Sequence, residues 1–247
     1  MREIKDIFYN NNDNILQSLD IYLPDSDEFN LFVYFHGGWL KSGDKADPQK
    51  FIKFLVAQGI AVVNANYRMY PDAKYPDFIE DAASAVSWVY KNIHNYGKIK
   101  GIYVGGSSSG GYLSQMLCFD SSWLEKHNIC PMDITGFVHD AGQPTCHFSI
   151  LKERNIDSRR IIIDDASSLY HIGKDENYPP MLIIVSDNDM ENRFEQTQLL
   201  ISTLKHFGHT ENIGYIVMNG THCSYVGAVN ENGESVFGKM ILDFICK

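Results

Sequence analysis

Residues 101–112 read GIYVGGSSSGGY, and the expected fold follows from this stretch. An apolar strand comes first, the motif G-x-S-x-G follows at 106–110, and a helix-compatible segment begins directly after it. A nucleophilic serine needs this context, because a strained turn between strand and helix holds its hydroxyl clear of the backbone. The two glycines remove side chains that would collide in so tight a turn. A flexible Gly/Ser loop is the alternative, but it would not require the flanking strand and helix, so we predict Ser108 as a nucleophile.

On both sides of this turn, short apolar runs alternate with helical patterns. Such alternation predicts an α/β fold with a mostly parallel central sheet and helices on both faces. About eight strands are expected, at Ile4–Tyr9, Ser18–Leu23, Leu31–Phe35, Ile60–Ala65, Gly101–Val104, Gly136–His139, Met181–Val185 and Ile213–Met218. Five helices are expected, at Pro48–Gln58, Phe78–Tyr96, Gly110–Phe119, Glu191–Phe207 and Ser235–Cys246. Residues 1–247 are predicted to form a single domain, in which 142–180 make an excursion that would serve as a small lid.

Composition and charge indicate a folded chain that does not bind nucleic acid. Hydrophobic residues make up 44% of the 247 residues, enough to bury a sizeable core. The formal net charge of −10 disfavours nucleic acid and anionic membranes as partners, because both attract basic surfaces. The sequence contains no H-E-x-x-H motif, spaced Cys/His cluster or Walker lysine, so we expect no metal and no cofactor. It does not indicate an oligomeric state.

The N-terminus and the cysteines predict a cytoplasmic protein. Residues 1–23 lack the apolar core and cleavage site of a signal peptide. No apolar run approaches the roughly 20 residues that span a bilayer. The five cysteines are scattered and lack C-x-x-C spacing, which is typical of free thiols in a reducing compartment.

A second glycine motif lies well upstream, in residues 32–43, which read FVYFHGGWLKSG. When an ester carbonyl is attacked, charge develops on its oxygen, and about two converging amide N–H groups stabilise it. A glycine loop at the carboxyl end of a strand faces the same crevice as the nucleophile, and its backbone can approach closely. We predict Gly38 and Trp39 as donors to this oxyanion hole, together with Ser109, the residue after the nucleophile.

The general base is expected in a loop after a late strand. A serine hydroxyl is a weak nucleophile until an imidazole accepts its proton, and a carboxylate fixes the tautomer of that imidazole. Of the nine histidines, His222 alone follows the last expected strand after a glycine-containing turn, so we predict it as the base. His36 is expected to hydrogen-bond the backbone of the glycine loop. We predict His147, with Gly37 and Trp39, as a substrate contact.

The carboxylate that orients the base is expected in SDNDM, residues 186–190. This sequence follows the strand expected at Met181–Val185 and gives the chain order serine, acid, histidine. Asp189 reaches further into the loop than Asp187 and is the preferred candidate. Asp187 stays the alternative, and Glu191 is a more distant third.

With these motifs in place, the chain resembles the α/β-hydrolase superfamily. The resemblance is to its small esterases, related to the hormone-sensitive-lipase-like carboxylesterases and to the acetylxylan/feruloyl esterase-like group. The matching stretches are LDIYLP (19–24), HGGW (36–39), NYRMYPDAKYP (66–76), GGSSSGG (105–111), VSDNDM (185–190) and GTH (220–222). The resemblance implies an α/β-hydrolase fold with no large cap domain.

The same resemblance implies roles for individual residues. The family's triad positions are occupied by Ser108, Asp189 and His222. Its oxyanion positions are occupied by Gly38, Trp39 and Ser109. Many relatives have a third glycine where this chain has Trp39, so the indole is expected to narrow the acyl pocket.

The expected reaction is hydrolysis of a carboxylic ester through an acyl-enzyme on Ser108. A small acyl group is expected, such as acetyl on a sugar, because the large cap found in some relatives is absent. Arylformamidases have an HGG-x-W pattern, which HGGW at 36–39 resembles, and this makes a formamide the alternative substrate. A non-catalytic binding protein with the same fold is a third hypothesis, disfavoured because all three triad positions are filled.

Overall fold

One eight-stranded sheet forms the centre of the computed structural model, which describes residues 1–47 and 50–247. The strands are β1 Arg2–Phe8, β2 Ser18–Leu23, β3 Glu28–Phe35, β4 Ile60–Ala65, β5 Lys98–Ser107, β6 Gly136–Asp140, β7 Met181–Asn188 and β8 Ile213–Thr221. Their order across the sheet is β1-β2-β4-β3-β5-β6-β7-β8. The pairs β1–β2 and β2–β4 are antiparallel, and every other pair is parallel. The predicted mostly parallel sheet of about eight strands is confirmed.

The helices are α1 Lys50–Ala57, α2 Asp77–Asn92, α3 Ser109–Phe119, α4 Ser122–Glu125, α5 Phe148–Glu153, α6 Ser168–His171, α7 Arg193–His206 and α8 Val236–Ile245. Short 3-10 helices lie at Ile15–Gln17, Ile93–Asn95 and Pro131–Asp133. All five predicted helices are present, although the first was expected to include Pro48 and Gln49, which lie outside the described residues. The short helices α4, α5 and α6 were not predicted, because so few residues carry little periodicity. Within residues 1–47 and 50–247, no helix is both long enough and apolar enough to cross a membrane.

Helices cover both faces of the sheet, which explains the continuous apolar runs of its central strands. On β3, Leu31, Val33 and Phe35 belong to a large hydrophobic cluster that includes side chains of α2 and α3. The intervening residues Phe32 and Tyr34 belong to a second cluster, with side chains of α1 and α8. Because successive side chains of a strand point to opposite faces, each layer of helices buries every second residue of β3.

The strand that leads to the predicted nucleophile is longer than expected. β5 continues beyond Val104 as far as Ser107, and Gly105 in this extension pairs with Val138 of β6. A methyl group on Gly105 would lie only 2.7 Å from the Val138 carbonyl oxygen. Glycine is generally depleted in strands, so the pattern predicted an early end. Here the close approach of β6 requires a residue without a side chain.

The carboxyl ends of the parallel strands bring the sequence motifs to one edge of the sheet. The glycine loop follows β3, and the predicted nucleophile follows its neighbour β5. The two late loops follow β7 and β8, which are also neighbours. Ligands of open parallel sheets bind at this edge, so the topology places the candidate site there.

Residues 142–180 cross this edge and are anchored to it. The Leu169 amide donates to the Pro144 carbonyl at 3.0 Å, which closes the segment on itself. The Tyr112 hydroxyl of α3 donates to the Ala166 carbonyl at 2.9 Å. The segment therefore packs on the helix that begins after the predicted nucleophile, and its function as a lid stays a prediction.

Candidate active site

The predicted nucleophile stands on a strained turn. Ser108 has φ 57° and ψ −113°, and conformations so rare cost a non-glycine residue about 1–3 kcal/mol. A methyl group on Gly110 would lie 1.9 Å from the Phe35 carbonyl oxygen. A methyl group on Gly106 would lie 2.5 Å from the Gly110 carbonyl carbon. Both glycines of the motif are therefore required, because the turn packs directly against the end of β3.

Ser108, His222 and Asp189 form a continuous chain of hydrogen bonds. The Ser108 Oγ lies 2.8 Å from His222 Nε2, and His222 Nδ1 lies 2.6 Å from Asp189 Oδ1. An ionised carboxylate only accepts, so we assign the proton to Nδ1, and Nε2 then accepts from the serine hydroxyl. The Asp189 side chain is fully buried, whereas 20% of the His222 side chain is exposed. The structure thus brings together three side chains predicted from distant parts of the sequence.

Backbone amides hold the Asp189 carboxylate in place. The Met190 amide donates to Oδ1 at 2.7 Å, and the Ser186 amide donates to Oδ2 at 3.3 Å. Burial alone would raise the pKa of Asp189. The hydrogen bond and charge of His222, with smaller contributions from the Met190 amide and the charge of Arg193, outweigh burial and lower this pKa below its ordinary value. The carboxylate is therefore ionised at neutral pH and is placed to stabilise a protonated imidazole.

Asp187, the alternative acid, supports the neighbouring turn instead. Its Oδ1 accepts a hydrogen bond from the Gly220 amide at 2.9 Å. The Ser186 hydroxyl donates to the Thr221 carbonyl, also at 2.9 Å. These two contacts tie the end of β7 to the end of β8, directly before His222.

The glycine loop after β3 lies against the nucleophile. A methyl group on Gly37 would lie 3.3 Å from the Ser108 Cβ. Gly38, Trp39 and Leu40 have φ values of 124°, 65° and 61°, so three successive residues adopt positive φ. Two following amides donate to the Gly38 carbonyl at 2.9 and 3.0 Å and close this turn. The loop thus reaches the site, while the oxyanion contacts of Gly38 and Trp39 stay a prediction.

The amide of Ser109 is available for the same purpose. Ser109 is the first residue of α3, and the first N–H groups of a helix have no acceptor within it. The preceding Ser108 amide is already used, because it donates to the Asp140 carbonyl at 2.8 Å. The Tyr67 hydroxyl donates to the His36 carbonyl at 2.8 Å and lies 3.3 Å from the Ser109 Oγ. Tyr67 therefore ties the glycine loop to the start of the helix.

Two further histidines have structural positions. His36 Nδ1 lies 2.7 Å from the Gly37 carbonyl oxygen, to which it donates, as expected for a residue that holds the loop. His147 is only 1% exposed, and its Nδ1 accepts from the Ser149 amide at the start of α5. Burial lowers the pKa of His147 well below its ordinary value, so the ring is neutral and able to accept. The predicted substrate contact at His147 is thus a buried helix cap.

A cavity of about 280 Å³ is lined by sequence neighbours of the site residues, but not by Ser108, His222 or Asp189. Trp39 of the glycine loop and Met190, directly after Asp189, both line it. Of the three predicted substrate contacts, Trp39 lines this cavity, whereas Gly37 and His147 do not. In residues 1–47 and 50–247, no group of three or more His, Cys, Asp or Glu side chains is arranged to hold a metal ion.

The sequence analysis missed a buried carboxylate behind the site. Asp140 is fully buried at the end of β6 and accepts a hydrogen bond from the Tyr225 hydroxyl. The Cys223 Sγ lies 3.9 Å from Asp140 Oδ2 and 3.7 Å from His222 Nε2. One signal in the sequence could have indicated Asp140: FVHDAG, residues 137–142, has an aspartate at the end of the strand that follows the nucleophile. Burial raises the pKa of Asp140 to about 6.

Asp140 is expected to make stability depend on pH. Its pKa is 3.8 ordinarily and about 6 in the folded chain, so its contribution is full below pH 4 and is lost as pH rises towards 7. The loss corresponds to about 3 kcal/mol. Asp140→Asn keeps an oxygen that accepts from Tyr225 but does not ionise. The free energy of unfolding of the variant, relative to that of wild type, should therefore be higher at pH 7 than at pH 4. Urea unfolding of both proteins at the two pH values measures this difference. An equal difference at both pH values would contradict this prediction.

Comparison with curated proteins finds relatives that align over part of their length. Esterase LipC of Mycobacterium tuberculosis (strain ATCC 25618 / H37Rv) is 23% identical over 203 residues, which cover 74% of this chain and 50% of LipC. Kynurenine formamidase of Danio rerio is 30% identical over 111 residues, which cover 44% of this chain and 36% of that protein. The chain thus spans half or less of the length of these relatives.

A truncated form of a carbohydrate esterase from gut microbiota has a similar solved structure. The TM-score is 0.80 at 18% sequence identity, and the match covers 100% of this chain and 97% of that chain. This similarity confirms the α/β-hydrolase fold expected from the sequence. The BD-FAE family model matches residues 19–204, well over half of the 247 residues. The chain therefore belongs to the BD-FAE family.

Proposed function

We propose that this protein hydrolyses a carboxylic ester with a small acyl group. The observation that carries the proposal is the hydrogen-bonded chain from Ser108 through His222 to Asp189. A hydroxyl, an imidazole and a carboxylate in this order form the arrangement that activates serine in acyl transfer. Relatives named as esterases support the same chemistry.

In the proposed reaction, the Ser108 oxygen attacks the ester carbonyl carbon while His222 accepts the hydroxyl proton. Asp189 stabilises the imidazolium that forms. The Ser109 amide and the glycine loop donate to the carbonyl oxygen as it gains negative charge. The alcohol leaves with the proton from His222, and an acyl-enzyme remains. Water then loses a proton to His222 and attacks the acyl carbon. The bond to the Ser108 oxygen breaks, His222 returns the proton to that oxygen, and the carboxylic acid is released.

The size of the acyl group is proposed from the walls of the site. Trp39 stands where a third glycine would leave open space, and 54% of this residue is exposed. Its indole packs edge-on against Phe148, with 5.8 Å between ring centroids. On this proposal the indole limits the space for the acyl group, so that an acetyl group is preferred over a long chain. The structural likeness to a protein described as a carbohydrate esterase makes an acetylated sugar a suitable candidate substrate.

A formamide is the second candidate substrate. The observation in its favour is the local similarity to a kynurenine formamidase, 30% identical over 111 residues. The same serine, base and amide donors would act on a formyl amide, because both substrates pass through a tetrahedral oxyanion.

A panel of substrates tests the proposal. We would measure kcat/KM for 4-nitrophenyl acetate, butyrate and octanoate, an acetylated xylo-oligosaccharide and N-formylkynurenine. The acetyl ester should exceed the octanoyl ester by at least about tenfold, the scale on which pockets discriminate methylene groups. Faster turnover of octanoate would overturn the small-acyl proposal, and preference for N-formylkynurenine would favour the formamide. If no substrate of the panel is hydrolysed, the hypothesis that remains is a ligand-binding protein.

The proposed partner is a small-molecule ester, and the proposed location is the cytoplasm. The five cysteines are free thiols in the described structure; they are Cys118, Cys130, Cys146, Cys223 and Cys246. Unpaired cysteines in this number are typical of a reducing compartment, which supports the location.

A further inference from the structure

The cavity beside the site is more cationic than the chain around it. The whole chain has 21 Lys and Arg against 31 Asp and Glu. The cavity, in contrast, is lined by four cationic side chains and one carboxylate; these are Lys152, Arg159, Arg160, Arg193 and Glu191. Positive charge collected at one place in an acidic chain is what an anion-binding site requires.

Internal ion pairs neutralise only part of this charge. Arg159 forms an ion pair with Asp157, with 2.6 Å between Nη2 and Oδ2. Lys152 and Arg160 are exposed, and within residues 1–47 and 50–247 neither forms an ion pair. Both charges are therefore free to meet an incoming anion.

Arg193 adds a buried charge to the lining of the cavity. It is only 4% exposed, and its guanidinium donates to the Ala141 carbonyl and, at 3.3 Å, to Gln143 Oε1. No carboxylate of the described ranges 1–47 and 50–247 pairs with it directly. Burial lowers the pKa of Arg193 to about 10, so it is charged at neutral pH. The charge of Asp189 raises this pKa but forms no ion pair with Arg193, so the buried cation is only partly compensated, and a bound anion would offset the remaining cost.

Apolar side chains complete the walls. Trp39 and Ile161 line the cavity and are 54% and 53% exposed, and Phe148 also lines it. A cavity of about 280 Å³ with apolar walls and a cationic surround suits a small organic anion, with its hydrocarbon part against the rings.

We propose that this cavity binds a carboxylate carried by the substrate, so that the preferred ester has an aromatic or short aliphatic group ending in a carboxylate. The proposal rests on the proposed ester hydrolysis. The cavity is lined by Trp39 of the glycine loop and by Met190, which directly follows Asp189, whereas Ser108 and His222 do not line it. The acid belongs to either the alcohol or the acyl part of the ester, and the two arms of the test distinguish these.

Matched pairs of esters test this inference. In the alcohol arm, 4-acetoxybenzoate is compared with 4-acetoxybenzamide. In the acyl arm, the mono-4-nitrophenyl ester of glutaric acid is compared with that of glutaramic acid. The ratio of kcat/KM, carboxylate over carboxamide, is measured for wild type, Lys152→Met and Arg160→Met. Lys205→Met, at the far end of α7, is the matched control for loss of one exposed positive charge.

In one of the two arms, Lys152→Met and Arg160→Met should each lower the ratio of kcat/KM, carboxylate over carboxamide. The expected decrease is about three- to tenfold, the scale of a partly exposed charged contact. Lys205→Met should leave the ratio within about twofold, and 0.5 M NaCl should lower it in wild type, because salt screens exposed charges. Equal ratios in all four proteins, with both esters turned over, would overturn the carboxylate site while ester hydrolysis stands.

Calorimetry separates this inference from the proposed function. Ser108→Ala, which lacks the nucleophile, is titrated with 4-acetoxybenzoate and with 4-acetoxybenzamide. Tighter binding of the carboxylate, weakened by Arg160→Met in the same background, would support the anionic site even if wild type hydrolysed no ester. Equal binding of the two compounds would exclude it.

Discussion

Ser108→Ala should lower kcat for 4-nitrophenyl acetate by about 10⁴- to 10⁶-fold, the scale on which triad nucleophiles contribute. The serine oxygen is the atom that bonds to the acyl carbon, and alanine offers none in its place. The imidazole 2.8 Å away would then have no hydroxyl to deprotonate. Residual turnover would come from the amide donors and from substrate binding. Initial rates at saturating ester measure the effect.

Ser109→Ala is the matched control for the nucleophile. It removes a hydroxyl one residue further on but keeps the backbone amide that we predict as an oxyanion donor. Its Oγ contacts the Tyr67 hydroxyl at 3.3 Å, so we expect a loss of less than about tenfold. Both variants should unfold at urea concentrations close to that of wild type. Equal activity of Ser108→Ala and wild type would exclude Ser108 as the nucleophile.

A serine-directed fluorophosphonate gives an independent readout of the same prediction. Wild type should gain one adduct mass on the peptide that contains Ser108, and Ser108→Ala should gain none. Labelling of another residue, with Ser108 unmodified, would assign the nucleophile elsewhere.

The elements that could be predicted are those written in local sequence. Ser108 lies in a motif that requires a strand before it and a helix after it, and both are present. His222 and Asp189 follow late strands, and parallel strands bring their carboxyl ends to one edge. A local pattern combined with one topological rule was therefore enough to bring these residues together.

The features that were missed depend on packing between distant segments. Asp140 is buried by a Tyr225 that lies far along the chain, and no nearby residue signals that contact. The buried position of Arg193 depends in the same way on the Ala141 carbonyl and on Gln143. His147 was expected at the cavity, but its ring stacks on Phe148 and caps α5, which was itself too short to predict. These positions follow from tertiary contacts that periodicity does not report.

Asp189→Asn should lower kcat by about 10⁴-fold, as the loss of the correct histidine tautomer does in serine hydrolases. Asp189 accepts the Nδ1 proton of His222 at 2.6 Å. An amide can instead donate to Nδ1, which would move the ring proton to Nε2 and leave no acceptor for the Ser108 hydroxyl. KM should change far less than kcat, because the fully buried Asp189 side chain faces His222 and not the substrate cavity.

Asp187→Asn is the control that separates the two candidate acids. Asp187 accepts from the Gly220 amide at 2.9 Å, and the oxygen of an asparagine accepts the same bond. Its side chain is exposed, so the substitution should lower kcat by less than about tenfold, the effect of one weakened neutral contact. A large loss in Asp187→Asn with near-normal turnover in Asp189→Asn would reverse the assignment. Equal, moderate losses in both variants would instead mean that the two carboxylates act through the shape of the loop. The ratio of the two kcat values therefore distinguishes a catalytic acid from a residue that only supports the turn.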